Sequence, residues 1–283
     1  MKKISVITIC YNAEATVEKT IESVINQTAF DNIEYVIIDG NSTDGTKKII
    51  ERYLDKISYY VSESDTGVYN AFSKGVNAST GDYVHFLNAN DFYCENNVIE
   101  KILEVAEKYD TDFVIGDVIL IPNQGEKFYR SSKNLSRLTL FIDWIYHVTL
   151  FQKRSLFETY GNFDESFKIS SDANWFIPIL QDSKTTKAYI EKPIAEFALD
   201  GISAKEETKD ITIAELEKVL SKNFTGVDDF YRRILQDKAF NKYSLPSVKL
   251  CHKIVRKLNL KNFISKNLLK HKNWQINYRN EDK

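Results

Sequence analysis

The sequence predicts an α/β fold, with a mostly parallel central sheet, helices on both faces and a helical C-terminal extension. Three observations predict it. Apolar runs rich in β-branched residues alternate with segments whose apolar residues recur at helical spacing, as far as Ile121. Polar residues collect where the apolar runs end. The chain has 283 residues, 43% of them hydrophobic and 28% charged, enough to bury a sizeable core.

The elements follow in order. Ile4–Cys10 is an unbroken apolar strand, and residues 16–26 carry Val17, Ile21, Val24 and Ile25 on one helical face. A second β-branched strand, 33–39, ends in Asp39-Gly40. Asn41-Ser42-Thr43-Asp44 offers caps for a helix carrying Ile49, Ile50, Tyr53 and Leu54. Residues 57–62 form a third strand, 68–77 a helix, and Ser79-Thr80-Gly81-Asp82 a turn into a fourth strand at 83–87. A helix at 97–109 presents Ile99, Ile102, Leu103 and Ala106, and a strand at 113–121 runs to the turn Pro122-Asn123-Gln124-Gly125. Beyond Lys127 the alternation breaks into a loop-rich stretch, an aromatic block near 141–151 and short helices. From about Glu206 the reading is almost wholly helical, with Pro246 opening the last long helix.

Composition narrows the class. A net charge of −2 excludes a generally basic nucleic-acid binder, although the segment after Lys242 is basic against only Glu281 and Asp282. Cys10, Cys94 and Cys251 lie far apart, which argues against a disulfide framework or zinc cluster and fits a reducing cytoplasm. No stretch approaches the ~20 apolar residues of a membrane span, and the start is read as a buried strand, not a signal peptide.

In parallel α/β sheets ligands gather beyond the carboxyl ends of the strands. Tyr11-Asn12, Asp39-Gly40 and Asn88-Ala89-Asn90-Asp91 all fall there, implying one crevice. The glycine-rich fingerprints of NAD and ATP sites are absent, since Cys10-Tyr11-Asn12-Ala13-Glu14 contains neither GxGxxG nor a Walker loop. Phosphate would then be held through a divalent metal, Mn²⁺ or Mg²⁺. Asn90 and Asp91 supply hard oxygen ligands for it at the end of the fourth strand.

Ser5-Val6-Ile7-Thr8-Ile9-Cys10-Tyr11-Asn12 followed by Val36-Ile37-Ile38-Asp39-Gly40-Asn41-Ser42-Thr43-Asp44-Gly45-Thr46 resembles the opening of family 2 glycosyltransferases with the GT-A fold. Ser62-Glu63-Ser64-Asp65-Thr66-Gly67-Val68-Tyr69-Asn70, running on to Gly75, is similar to a block of a bacterial surface-polysaccharide branch. Phe86-Leu87-Asn88-Ala89-Asn90-Asp91 resembles the DxD-like segment. Gly161-Asn162-Phe163-Asp164-Glu165 and Ser170-Ser171-Asp172 resemble the acceptor side, and Asp200-Gly201-Ile202-Ser203 a late loop. The resemblance covers about residues 3–205, dividing the chain into a GT-A domain at 1–205 and a helical region at 206–283.

The resemblance implies an inverting transferase that passes a sugar from a UDP-linked donor to a hydroxyl acceptor. Thr8 and Tyr11 would line the base pocket and Asp39 would accept from the uracil ring. Asp65, Lys74 and Asn88 would lie on the nucleotide side, Lys74 toward the diphosphate. His147 would serve the acceptor or the diphosphate. The usual metal-binding aspartate is replaced by Asn90, a neutral carbonyl that attracts a cation less strongly, so Asp91 carries more of that expectation. Asp172, by its place before an apolar helix, is the expected general base. Each residue also has a structural reading: Asp172 as an N-cap, Asp39 as a strand-ending turn, Asp91 as a cap near Asn97, Tyr11 as rim packing and His147 as a satisfied structural histidine. Glu63, Asp117 and Asp164 read as loop support.

Two other functions are weighed: a non-catalytic nucleotide- or sugar-binding scaffold, which Asn90 keeps open, and a nucleotidyltransferase. The second needs a basic glycine-rich loop that residues 10–16 lack. At the C-terminus, 245–260 and 261–274 read as basic amphipathic helices. They would either pack on the core, bind a protein partner or lie on an anionic membrane at the inner face of the cell membrane. A lipid-linked saccharide acceptor would suit the membrane reading.

Overall fold

The first strand sets the architecture. All seven residues of β1 (Ile4–Cys10) are buried, as are all seven of β2 (Ile33–Asp39), so both strands are covered on two faces. They pair in parallel from Ile4 opposite Ile33 to Cys10 opposite Asp39. The computed structural model describes residues 1–122, 126–133, 135, 140 and 145–223, with the backbone of 278–279.

The sheet runs β10-β9-β6-β8-β4-β1-β2-β3. Its further strands are β3 (Tyr59–Ser62), β4 (Tyr83–Phe86), β5 (Phe92–Tyr93), β6 (Phe113–Ile121), β7 (Phe128–Arg130), β8 (Leu150–Lys153), β9 (Lys187–Ala198) and β10 (Tyr278–Arg279). The helices are α1 (Val17–Ile25), α2 (Thr46–Glu51), α3 (Val68–Ala78), α4 (Val98–Tyr109), α5 (Ser155–Tyr160), α6 (Ser171–Gln181) and α7 (Lys209–Asn223). One core lies beneath α3, α5, α6 and α7, where Ile7, Phe72, Phe86, Phe163, Trp175 and Leu220 meet. The other lies beneath α1, α2 and α4, around Val6, Ile21, Ile37, Ile50, Ile102 and Phe151.

The expected fold class is present, but the sheet is less parallel than the sequence implied. β8 runs antiparallel between β4 and β6, and the short β5 and β7 also pair antiparallel. None of β5, β7, β8 or β9 was legible as a strand. β8 hides in the aromatic block, and β9 is interrupted by Glu191-Lys192-Pro193. That interruption has a partner: Pro193 stands opposite Asp117, where the β6–β9 register shifts on both sides. Proline has no N–H to give a ladder, so it belongs at such an irregularity. Asp117, fully buried, instead accepts from Ser132 N at 2.6 Å, from the Tyr129 hydroxyl, and from Tyr189 OH at 2.9 and 2.8 Å. The helix expected to reach Leu54 stops at Glu51, and the C-terminal helices expected at 245–260 and 261–274 lie outside the described residues.

Two packing features yield predictions. A Cβ at Gly75 would sit 2.5 Å from Ile7 Cγ2, because α3 lies directly on β1. Gly75→Ala is expected to lower stability by about 1–3 kcal/mol in urea denaturation, the range for overpacking a close core. His85 is fully buried, stacked 3.8 Å from the Phe151 ring and bonded to Tyr93 OH at 2.8 Å and Val148 O at 3.0 Å. Burial pushes its pKa down from 6.5 to about 3. The folded chain therefore keeps His85 neutral while the unfolded chain takes up a proton. The stabilising term is complete above pH 6.5 and is lost progressively as pH falls toward about 3. Denaturation between pH 7.5 and 5 should show a fall of up to about 1.4 kcal/mol per pH unit below 6.5 that His85→Gln flattens.

Candidate active site

The rim is made where strands end, and three of its loops turn on an asparagine in the left-handed region. Asn12 (φ 49°) follows β1, Asn41 (φ 64°) follows β2 and Asn90 (φ 85°) follows β4. Asparagine tolerates that conformation better than other side chains bearing a Cβ. The turns are cross-tied. Asn12 N donates to Ser42 Oγ at 2.8 Å, and Thr43 N to Asn12 Oδ1 at 2.9 Å. Asn90 N donates to Thr20 Oγ1 at 3.1 Å, whose own hydroxyl donates to Asp91 O at 2.8 Å.

On the β1–β3 side, Tyr11 is 64% exposed and free to stack on a planar ligand, and its ring lies beside Gly40. A Cβ on Gly40 would stand 3.4 Å from Tyr11 Cδ2 and 3.0 Å from Asp65 Oδ2, so glycine lets the three come together. Thr8 and Asp39 are fully buried. Thr8 Oγ1 donates to Leu87 O at 2.8 Å and lies 3.1 Å from Tyr35 OH. Asp39 accepts from Ser42 N at 3.0 Å, from the Ser42 hydroxyl and from Ser62 Oγ at 2.6 Å. Lys74 pairs with Asp65 and Glu63, each at 2.7 Å. Desolvation pulls the Lys74 pKa down, but its bonds to Asp65 and Glu63 together raise it above the usual lysine value.

On the β4 side, His147 links two groups that are far apart in sequence. It stands in a single turn, His147–Thr149, just before β8, with its ring edge-on to Phe72 (5.9 Å) and Phe197 (5.6 Å). Nε2 lies 3.0 Å from Asn88 Nδ2 and 3.8 Å from Asp91 Oδ2, while Nδ1 lies 3.9 Å from Asp172 Oδ2. Asp91 is 4% exposed, and burial raises its pKa above the usual carboxylate value, with the opposing influence of His147 and the Ala198 N–H unable to cancel it. Asp172 occupies the first turn of α6 and its side chain is 24% exposed, open to a reactant. Its Oδ1 accepts from Tyr69 OH at 2.9 Å, and the same hydroxyl reaches Ile169 O at 2.5 Å.

Asn90 Nδ2 donates to Asp200 Oδ1 at 2.9 Å, and both residues line a 340 Å³ cavity with Thr16, Lys19 and Phe92. Asn88 Oδ1 is buried without a hydrogen-bond partner. Hard oxygens here comprise the amide carbonyls of Asn88 and Asn90 and the Asp91 carboxylate on the loop after β4, with the Asp200 carboxylate brought in from beyond β9. That donor set fits a hard divalent cation completing its shell on a diphosphate. Among the described residues no group of three His, Cys, Asp or Glu side chains would hold one unaided.

This arrangement, an α/β sheet with a polar crevice over its strand ends, is that of the GT-A glycosyltransferases. Staphylococcus aureus TarS in complex with UDP-GlcNAc superposes with a TM-score of 0.63 at 16% identity, covering 82% of this chain and 70% of that one. The mannosyltransferase PcManGT of Pyrobaculum calidifontis, in complex with GDP-Man and Mn²⁺, gives 0.62 at 16% identity over 96% and 82%. The chain belongs to glycosyl transferase family 2, whose sequence profile matches residues 5–174, and it is a transferase enzyme. A PGL/p-HBAD biosynthesis glycosyltransferase of Mycobacterium tuberculosis is 28% identical over 197 residues, 68% of this chain and 75% of its own length. Membership leaves the nucleotidyltransferase reading without support.

The structure thus brings Asn88, Asp91, His147 and Asp172 into one cluster, and Tyr11, Asp65 and Lys74 into another. Sequence reasoning gave no role to Tyr69, Asp200 or Glu215. Tyr69 stood inside a quoted motif and Asp200 in the late loop, so both carried a signal. Glu215 carried none, being one charge among many on a polar helix. Asp39→Ala would leave Ser42 N and the Ser42 and Ser62 hydroxyls without their acceptor and is expected to cost about 1–3 kcal/mol in denaturant unfolding.

Proposed function

We propose that this enzyme transfers a sugar, with inversion, from a UDP-linked donor to a hydroxyl of a saccharide or lipid-linked saccharide acceptor, Asp172 serving as general base. The observation that carries the reading is the position of His147 between Asp172 and the Asn88–Asp91 loop. Asp172 lies within 3.9 Å of a ring whose far nitrogen is 3.0 Å from Asn88 and 3.8 Å from Asp91. This proximity supports reading Asp172 as the base and the Asn88–Asp91 loop as the diphosphate side of one reaction centre.

The division of labour follows from the side chains. Tyr11 stacks on the base, with Asp39, Thr8 and Asp65 shaping the pocket beneath and beside it. Asn88 and Lys74 face the nucleotide. Asp172 takes the acceptor O–H proton as that oxygen bonds to the anomeric carbon. The bond from that carbon to the diphosphate oxygen breaks, its electron pair leaves with UDP, and the proton on Asp172 passes to solvent. A divalent cation, held by Asn90 and Asp91 with Asp200 beside them, would neutralise charge on the diphosphate. The neutral Asn90 makes that hold weaker than a carboxylate would. TarS and PcManGT, in complex with UDP-GlcNAc and with GDP-Man and Mn²⁺, support a nucleotide-sugar donor.

Residues 1–205 are proposed as the transferase domain and 206–283 as a helical region, serving synthesis of a bacterial surface polysaccharide from the cytoplasmic side. No helix among the described residues is long and apolar enough to cross a membrane. Peripheral contact through the basic C-terminal segment is part of the same proposal.

Calorimetric titration with UDP, GDP, CDP and TDP, with and without Mn²⁺, should show selective UDP binding that strengthens with metal. UDP release from a panel of UDP-sugars should then fall at least a hundredfold in Asp172→Asn while UDP affinity stays within about threefold, since a general base contributes 10²–10⁴-fold. Near-normal turnover in that variant would remove Asp172 from the role.

A further inference from the structure

The segment leading into α6 is held by a residue outside the family match. Glu215, on α7, accepts three successive backbone N–H groups: Lys168 N at 2.6 Å to Oε1, and Ile169 N and Ser170 N at 2.9 Å each to Oε2. Both carboxylate oxygens are used, and all three donors belong to the turn that delivers Asp172 two residues later. Three amides converging on one carboxylate form an anion nest, and the N-terminal end of α6 adds favourable dipole potential. Charge-assisted bonds of this kind are about twice as strong as neutral ones.

The neighbouring contacts make the hold directional. Tyr69 OH clasps the same turn from the α3 side, reaching Ile169 O at 2.5 Å and Asp172 Oδ1 at 2.9 Å. The ring of Phe167, at the start of the turn, has Lys218 Nζ 4.3 Å from its centre. Val219 and Leu220 anchor α7 in the core beneath α6, where they are 0% and 4% exposed. The turn before Asp172 is thus gripped between Tyr69 on one side and Glu215 on the other. Backbone and carboxylate have little freedom to drift from His147.

We propose that Glu215 is a positioning residue for Asp172, so that α7 completes the transferase site from beyond the family match. This rests on the reading of Asp172 as general base. Glutamine at 215 would keep one acceptor oxygen and turn an NH₂ against the remaining N–H groups, loosening the turn without touching the nucleotide pocket.

The test uses the full chain and four variants: Glu215→Gln, Glu215→Asp, Asp172→Asn and the exposed same-helix control Glu217→Gln. Hydrogen–deuterium exchange over 166–174 should quicken at least tenfold in Glu215→Gln, with β1–β4 unchanged. Turnover of the UDP-sugar selected above should lose at least tenfold in kcat with donor KM within twofold, because small misplacements of a catalytic group are costly. Adding Glu215→Gln to Asp172→Asn should cause no further loss, since the two act as one unit. Glu215→Asp keeps the charge on a shorter arm. It should fall between wild type and Glu215→Gln, and it serves as the test should the glutamine variant not fold. Glu217→Gln should behave as wild type. Unchanged exchange over 166–174, or wild-type kcat despite faster exchange, would overturn the proposal. A raised KM with unchanged kcat would equally overturn it, as would a loss that adds in full to that of Asp172→Asn. Full turnover by Asp172→Asn is a different failure: it removes the base reading itself.

Discussion

Everything at the crevice depends on the parallel pairing of β1 with β4 beyond the point where β4 ends. Leu87 N donates to Ile7 O at 2.9 Å and Ala89 N to Ile9 O at 3.1 Å, so the Asn88–Asp91 loop leaves the sheet as a continuation of the strand. Thr8 Oγ1 ties Leu87 O from below. A backbone carried outward on ladder bonds is stiff, and stiffness lets one short loop present the Asn88 amide, the buried Asp91 carboxylate and a contact to His147 together. Without that extension Asn88 would have no fixed distance from His147.

The burial pattern explains why the site is polar on one side only. The core under α3, α5 and α6 is aromatic, with Phe157 stacked 4.3 Å from Trp175 and Phe72 4.5 Å from Phe86. This layer rises to the crevice and ends at the His147 ring, held edge-on by Phe72 and Phe197. A ring clamped by aromatic walls keeps its orientation, and its nitrogens then define a line from Asn88 to Asp172. Low polarity around that line strengthens each electrostatic contact along it. The same environment raises the pKa of Asp91, which stands nearer the interior than Asp172 does.

Charged side chains at the rim are held by partners within the protein. Lys74 is shared by Asp65 and Glu63, and Asp200 receives the Asn90 amide. Such pairing presets side-chain positions before any ligand arrives, which lowers the ordering cost of binding. It also gives the Asn90 position a negative neighbour. A carboxylate thus stands one hydrogen bond from residue 90, at residue 200.

The sequence by itself determined the fold class and the polar residues that gather at the strand ends. Those features are written in local periodicity, in asparagines at strand ends and in short motifs, all of which act over a few residues. The Asn88–Asp91 loop was legible as a polar strand end, whereas Asp172 and His147 became candidates only through the resemblance of the motifs around them to family 2 glycosyltransferases. Only the tertiary structure decided that His147 stands between them, that Asp200 meets Asn90, and that Thr8 and Asp39 lie beneath the surface. The His147 and Asn90 contacts join residues 25 to 110 positions apart. The sequence likewise could not show β8 and β9 as strands or Glu215 as a clasp on the Asp172 turn. A strand broken by proline is defined by its partner, and a carboxylate on a polar helix by the amides it meets. Neither partner is a neighbour along the chain, so local pattern holds no trace of either.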